Sequence, residues 1–129
     1  MTSIAYLDAS AIVKLVRVEP ESPGMLRWYQ ESETLVTNRI GVVESRRAAN
    51  RGDGDMARLA VVTDRLEVFE LDDDIEQRAG TIGPSSLRTL DAIHLATALS
   101  IPGLGSFVTY DDRLADAARN VGLPVVRPA

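Results

Sequence analysis

The sequence predicts a three-layer α/β sandwich, with helices covering both faces of a parallel sheet. Short apolar runs of β type alternate along the chain with longer amphipathic segments. Strands separated by helical segments pair in parallel through crossover connections, which places helices on both sheet faces. The 129 residues are 45% hydrophobic and 26% charged. That composition can bury a core and stay in solution, at a length suited to one domain spanning 1–129.

Ile4–Leu7 reads as a buried strand, and Ala9 to about Arg17 as the first helix, with Ser10 among its candidate caps. Pro20 and Pro23 punctuate the chain around the start of a second helix at about Glu21–Glu31. Thr34–Thr37 is the second strand. Asn38 can cap a helix over about Arg39–Asn50, which the turn Arg51-Gly52-Asp53-Gly54 ends. Asp55 caps the next helix, to about Leu66, and Glu67–Glu70 is the third strand. Asp72–Ile82 reads as helix and stops at Gly83-Pro84. Thr89–Ser100 is a helix, Ser106–Thr109 a strand, Asp112–Asn120 a helix and Pro124–Val126 a last short strand.

Composition removes several function classes. Without cysteine there is no disulfide framework, thiolate nucleophile or Cys-type zinc site, and a single histidine, His94, excludes constellations that need two. Lys14 is the only lysine beside thirteen arginines, so neither a P-loop nor a receiver domain with a lysine on a late strand can be built. Asp8-Ala9-Ser10 lacks the D-x-D of an aspartyl phosphatase. Gly103-Leu104-Gly105 precedes a strand where a dinucleotide loop would follow one. Asp91-x-x-His94 has di-iron spacing without its second copy, so His94 reads as a packed or capping residue. No apolar run approaches the ~20 residues of a membrane span, and no leader pattern opens the chain. A cytoplasmic protein without membrane contact is expected. The net charge of −5 is a poor start for holding nucleic acid by bulk electrostatics, but a bound divalent cation would reverse the local sign.

Parallel α/β folds place their working site beyond the carboxyl ends of the strands. Acids stand out there and on the neighbouring helices: Asp8 after the first strand, Glu44, Asp91, and the pair Asp111 and Asp112 after the fourth strand. Each also has a local explanation. Asp8 and Asp111 precede helices and can cap them, Asp91 lies in a first helical turn, and Glu44 can pair with Arg47. Against those readings, Leu90–Leu99 is apolar nearly all round, and an uncompensated carboxylate in such a packed helix is costly. Glu44 shares a stripe with Ile40 and Ala48. Carboxylates gathered at one sheet edge repel unless they share protons or bind a cation. All-oxygen donors favour Mg²⁺ or Mn²⁺ over zinc, and such an ion in an open cleft suits phosphodiester hydrolysis.

Leu7-Asp8-Ala9-Ser10-Ala11, the block Leu90–Ala98 and Val108-Thr109-Tyr110-Asp111 followed by Leu114 resemble the PIN-domain superfamily, and within it the VapC-type toxins of toxin–antitoxin pairs. The resemblance runs nearly the whole length. It implies a parallel five-stranded sheet flanked by helices and a Mg²⁺- or Mn²⁺-dependent endoribonuclease acting on structured RNA, such as transfer or ribosomal RNA. It puts the metal acids on Asp8, Glu44, Asp91 and Asp111, with Asp8 and Asp91 the direct ligands and Ser10 and Thr109 supporting them. Asp112 is the substitute for the fourth acid, although Thr-x-Asp spacing favours Asp111. The resemblance also implies a homodimer silenced by a cognate antitoxin. Lys14, near this site, is either a phosphate contact or a solvated helix residue. Arg39, Arg46, Arg47 and Arg51 are further RNA contacts or a solvated face. Met25, Trp28 and Tyr29 form a helical stripe that either packs in the core or meets the antitoxin. A competing reading from another class is a catalytically silent PIN-like module that works through protein contacts.

Overall fold

The computed structural model describes residues 3–129. Five strands, β1 (Ile4–Leu7), β2 (Thr34–Asn38), β3 (Glu67–Phe69), β4 (Leu104–Val108) and β5 (Val125–Val126), form one sheet in the order β3-β2-β1-β4-β5, and every pairing is parallel. Among the described residues seven helices connect them: α1 (Ala9–Lys14), α2 (Ser22–Glu31), α3 (Arg39–Arg51), α4 (Met56–Arg65), α5 (Asp73–Thr81), α6 (Thr89–Leu99) and α7 (Asp112–Asn120). No helix of the described residues is long and apolar enough to cross a membrane.

Successive strand residues point to opposite faces, and this alternation builds two cores. Ala5 and Leu7 of β1, Leu35 of β2 and Val108 of β4 meet Ile12, Met25, Leu59 and Val62 from α1, α2 and α4. Tyr6, Val36 and Phe107, one residue out of phase, meet Leu95, Ala98, Leu114 and Ala118 from α6 and α7. Helix α6 is buried from Ala92 to Ala98 because α5 packs on its outer side through Ile75, against Ile93 and Ala96. A helix clad on both sides has to be apolar all round, as its sequence is.

The chain runs outward from β1 to β3 and then returns to place β4 beside β1. The connections leaving β1 and β4 therefore diverge, and such a switch in direction opens a crevice at the carboxyl ends of those two strands. Asp8 follows β1 and Thr109 follows β4, so topology alone brings together residues 101 apart in sequence.

Several boundaries differ from the sequence reading. Helix α1 ends at Lys14 instead of Arg17, because Leu15 N donates to Ile12 O and Val16 N to Val13 O, both at 3.0 Å. This tightened last turn drives Leu15 and Val16 into the core. Strand β4 starts at Leu104 and ends at Val108, so Thr109 lies just outside the ladder, free to point into the crevice. Gly103, at φ +73°, turns the chain into β4, a conformation that favours glycine. Of the α2 stripe, Met25 is fully buried, while Trp28 and Tyr29 pack partly buried at the edge of the core.

Helix α6 offers a direct check of the layering. Leu95 is fully buried and Leu90, one turn and a half earlier, is 43% exposed. Leu95→Ala is expected to lower stability in urea unfolding by about 2–5 kcal/mol, and Leu90→Ala by no more than about 0.5 kcal/mol. Similar losses at both positions would mean that α6 is not sandwiched as described.

Candidate active site

Asp8 emerges from the central strand and caps α1. Its Oδ1 accepts from Ala11 N at 2.9 Å and from Ser10 Oγ at 2.7 Å, and its Oδ2 accepts from Thr109 Oγ1 at 2.6 Å. The cap of α1 is therefore Asp8 and not Ser10, whose hydroxyl also accepts from Tyr110 N at 2.8 Å. Thr109 Oγ1 accepts in turn from Asp111 N at 3.1 Å. Ser10 and Thr109 thus tie the end of β1 to the loop after β4. Although it is only 3% exposed, the Asp8 carboxylate keeps all these partners. Its pKa is nonetheless raised, chiefly by burial; the electrostatic influence of His94 and the bonds from Thr109, Ser10 and Ala11 act in the opposite direction.

The other acids arrive on three helices. Asp91, in the first turn of α6, is half-buried. Burial raises its pKa first, then the charge of Asp111, with Glu44 and Asp8 adding in the same sense and His94 opposing. The Asp91 carboxyl group therefore feels the charge of all three of the others. Asp111 caps α7 through Leu114 N at 3.1 Å. Asp112 turns away, almost fully exposed, and pairs with Arg127 at 2.8 Å. Glu44, on α3, does not pair with Arg47. Its Oε1 lies 2.7 Å from His94 Nε2. His94 itself is buried, as its place in the apolar helix suggests.

Among the described residues, no three His, Asp or Glu side chains are set as a ready metal cage. The carboxylates are engaged instead with protein donors: Asp8 with Ser10, Ala11 and Thr109, Glu44 with His94, and Asp111 with Leu114. The chemistry of the set still fits a hard divalent cation. Its donors are oxygens, and a cation would offset the burial and the like charges that together raise the Asp91 pKa. Lys14 is committed locally: its Nζ lies 2.7 Å from Glu21 and 3.4 Å from Glu19, and 5.0 Å from the centre of the Tyr110 ring.

A model described as PIN domain matches residues 5–120. The chain belongs to the PIN-domain family. It falls with the VapC proteins within it: it is 41% identical to Ribonuclease VapC46 of Mycobacterium tuberculosis over 96% of this chain and 97% of that one. Ribonuclease VapC47 and Ribonuclease VapC35 of the same organism are 38% and 40% identical, each over 95% of this chain and 96% of theirs. The fold is also that of M. tuberculosis VapC20, described as a Sarcin-Ricin loop cleaving toxin (TM-score 0.76, 18% identity, covering 96% of this chain and 99% of that one). VapBC2 of Rickettsia felis, solved with a DNA fragment from its promoter, superposes with a TM-score of 0.72 at 14% identity, over 98% and 99% of the two chains.

In this PIN fold two features were not legible in the sequence. The His94–Glu44 contact joins residues 50 apart, and its only local sign is that His94 shares a helix face with Asp91, three positions earlier. Arg88 and Arg113 line a cleft of about 430 Å³ with Asp91 in its wall. Their signal was position, since each lies within three residues of a candidate acid.

The raised Asp91 pKa has a definite sign in stability. The folded state holds that proton more tightly than the unfolded chain, so ionisation costs stability as pH rises through the unfolded value of about 3.9 towards the folded one. Asp91→Asn removes this cost, and also removes a helix-dipole interaction of about 0.3–1 kcal/mol. In EDTA at low ionic strength, the melting temperature of the variant relative to wild type should therefore rise between about pH 3 and pH 7. A difference that moves the other way would leave Asp91 as an ordinary first-turn acid.

Proposed function

We propose that this protein is the toxin of a toxin–antitoxin pair, a Mg²⁺- or Mn²⁺-dependent endoribonuclease that hydrolyses structured RNA such as transfer or ribosomal RNA. The observation that carries this reading is Asp8 at the carboxyl end of β1 in a PIN fold, its carboxylate held by Ser10 and Thr109, with Asp91 close enough to feel the charges of Asp111, Glu44 and Asp8. Near-full-length likeness to VapC ribonucleases supports it, as does the likeness in fold to VapC20.

Asp8 and Asp91 would hold the cation most directly, with Glu44 and Asp111 completing the set. When bound, a hard divalent ion supplies polarisation of the phosphodiester and a water acidified enough to attack it. Ser10 and Thr109 fix the Asp8 carboxylate by donating to one oxygen each. Asp111 takes the fourth position in preference to Asp112, whose carboxylate faces Arg127. Phosphate contact falls to Arg88 and Arg113, because Lys14 is neutralised by Glu21 and Glu19. In the cleft beside Asp91, Asp116 is already paired with Arg119 at 3.3 Å, so the two arginines give the RNA backbone a local positive field on an acidic protein. The VapBC2 complex supports a protein partner for this toxin; in the proposed reading that partner silences the activity and the toxin itself is a homodimer.

Two experiments test this. Cleavage of a panel of structured RNAs should vanish in EDTA and return with Mg²⁺ or Mn²⁺, and Asp8→Asn should lower it at least about 100-fold. A metal-responsive protein that cleaves nothing in the panel while binding a partner tightly would favour the silent binding module. Separately, Arg88→Glu and Arg113→Glu in an Asp91→Asn background should each weaken RNA binding and flatten the dependence of log K on log salt by about 0.7 per lost contact. The exposed Arg27→Glu on α2 should leave that slope unchanged. Equal slopes for all three would remove Arg88 and Arg113 from the RNA path.

A further inference from the structure

We propose that His94 is a positioning residue, and that a buried Tyr6–His94–Glu44 chain of hydrogen bonds holds the Glu44 carboxylate at the rim of the acid cluster. The role rests on the proposed nuclease function, but the chain itself stands on geometry. Tyr6 Oη lies 2.6 Å from His94 Nδ1, and His94 Nε2 lies 2.7 Å from Glu44 Oε1. Tyr6 is fully buried on β1, two residues before Asp8. His94 is 1% exposed on α6, one turn after Asp91. The strand that leads into Asp8 and the helices that carry Asp91 and Glu44 are thus joined through one imidazole.

Donor and acceptor roles follow from what each group can do. An ionised carboxylate only accepts, so Nε2 must carry the hydrogen and donate it to Glu44. Deep burial pushes the Tyr6 pKa far above its usual range, which keeps the phenol protonated. In the neutral imidazole, Tyr6 therefore donates to Nδ1, and this bond selects the tautomer that serves Glu44. The phenol is itself immobilised. Its ring stacks on Phe107 at 5.3 Å with planes 2° apart, and meets the His94 ring edge-on at 5.7 Å. Gly41, one turn before Glu44 on α3, packs closely here: an added Cβ would fall 2.5 Å from Thr37 Oγ1 and 3.2 Å from His94 Cε1. With both ring nitrogens engaged inside the protein, His94 is arranged to orient Glu44. A glutamate otherwise keeps most of its rotamer freedom at a part-exposed site.

Because the chain contains a single histidine, ¹⁵N imidazole spectra report on His94 alone. In metal-free protein near neutral pH the spectrum should show hydrogen on Nε2, and Glu44→Ala should shift that Nε2–H resonance. A neutral Nδ1–H tautomer, or no response to Glu44→Ala, would overturn the chain, whether or not the protein proves to be a nuclease. The positioning role is read by two variants that differ in whether they offer Glu44 a donor. His94→Gln keeps an amide N–H able to reach Glu44, whereas His94→Leu does not. His94→Leu should weaken Mn²⁺ binding and slow cleavage by about 10–100-fold at unchanged RNA KM, and His94→Gln should recover most of both. A purely packing role predicts the reverse order, since a buried amide fits an apolar helix worse than leucine does. Equal losses in the two variants, or a larger loss in His94→Gln, would overturn the proposal. A wild-type protein that neither binds Mn²⁺ nor cleaves RNA would defeat the nuclease reading, and the spectra would still decide the chain.

Discussion

A carboxylate that is 3% exposed at the end of a central strand is costly to bury, and everything at this site is built around compensating Asp8. Its oxygens are met by one main-chain amide from its own helix and by two hydroxyls, Ser10 from α1 and Thr109 from beyond β4. The Thr109 bond exists only because β4 lies beside β1. The sheet order is therefore a precondition for ionising Asp8, and Asp8 in turn pins the loop that carries Asp111 through Thr109 and Ser10. Fold and site share the same few hydrogen bonds.

Helix α6 carries the opposing demand. To fill the space between the sheet and α5 it must be apolar on nearly every side, yet it delivers Asp91 and His94 to the crevice. The conflict is resolved by position along the helix. Asp91 sits in the first turn, where exposure and the helix dipole limit its cost. His94 lies deeper, and both of its ring nitrogens find partners, Tyr6 and Glu44. Thr97, deeper again, donates to Ile93 O and accepts from Asn38 Nδ2. Beyond the first turn, polar groups enter this helix only where a partner waits.

Charge is arranged by location more than by total. The chain is acidic overall, and several cations are consumed in local pairs: Lys14 with Glu21, Arg39 with Glu70, Arg127 with Asp112. Arg88 and Arg113 are placed instead beside Asp91 in an open cleft. An acidic protein can admit a polyanion where its arginines are local and its carboxylates are either paired or screened by a cation.

Local order was legible in the sequence because it depends on neighbours a few residues away. Short apolar runs of β type gave away the strands; Asn38, Asp55 and Asp111 announced their helices as caps, since capping needs only a side chain and the amides just after it. The motif acids could be named for the same reason. What tertiary structure decided were the partners. Leu15 and Val16 continue the helical period of α1 but leave the helix, because the core reaches for them. Glu44 has Arg47 within reach along its helix and bonds His94 instead; Asp112 neighbours Asp111 and turns to Arg127. A surface ion pair along one helix stabilises by only a few tenths of a kcal/mol, too little to hold a side chain against a buried donor supplied by another element. Sequence therefore determined which groups exist and on which elements they ride, while the parallel sheet, by choosing which strand ends meet, determined which of them touch.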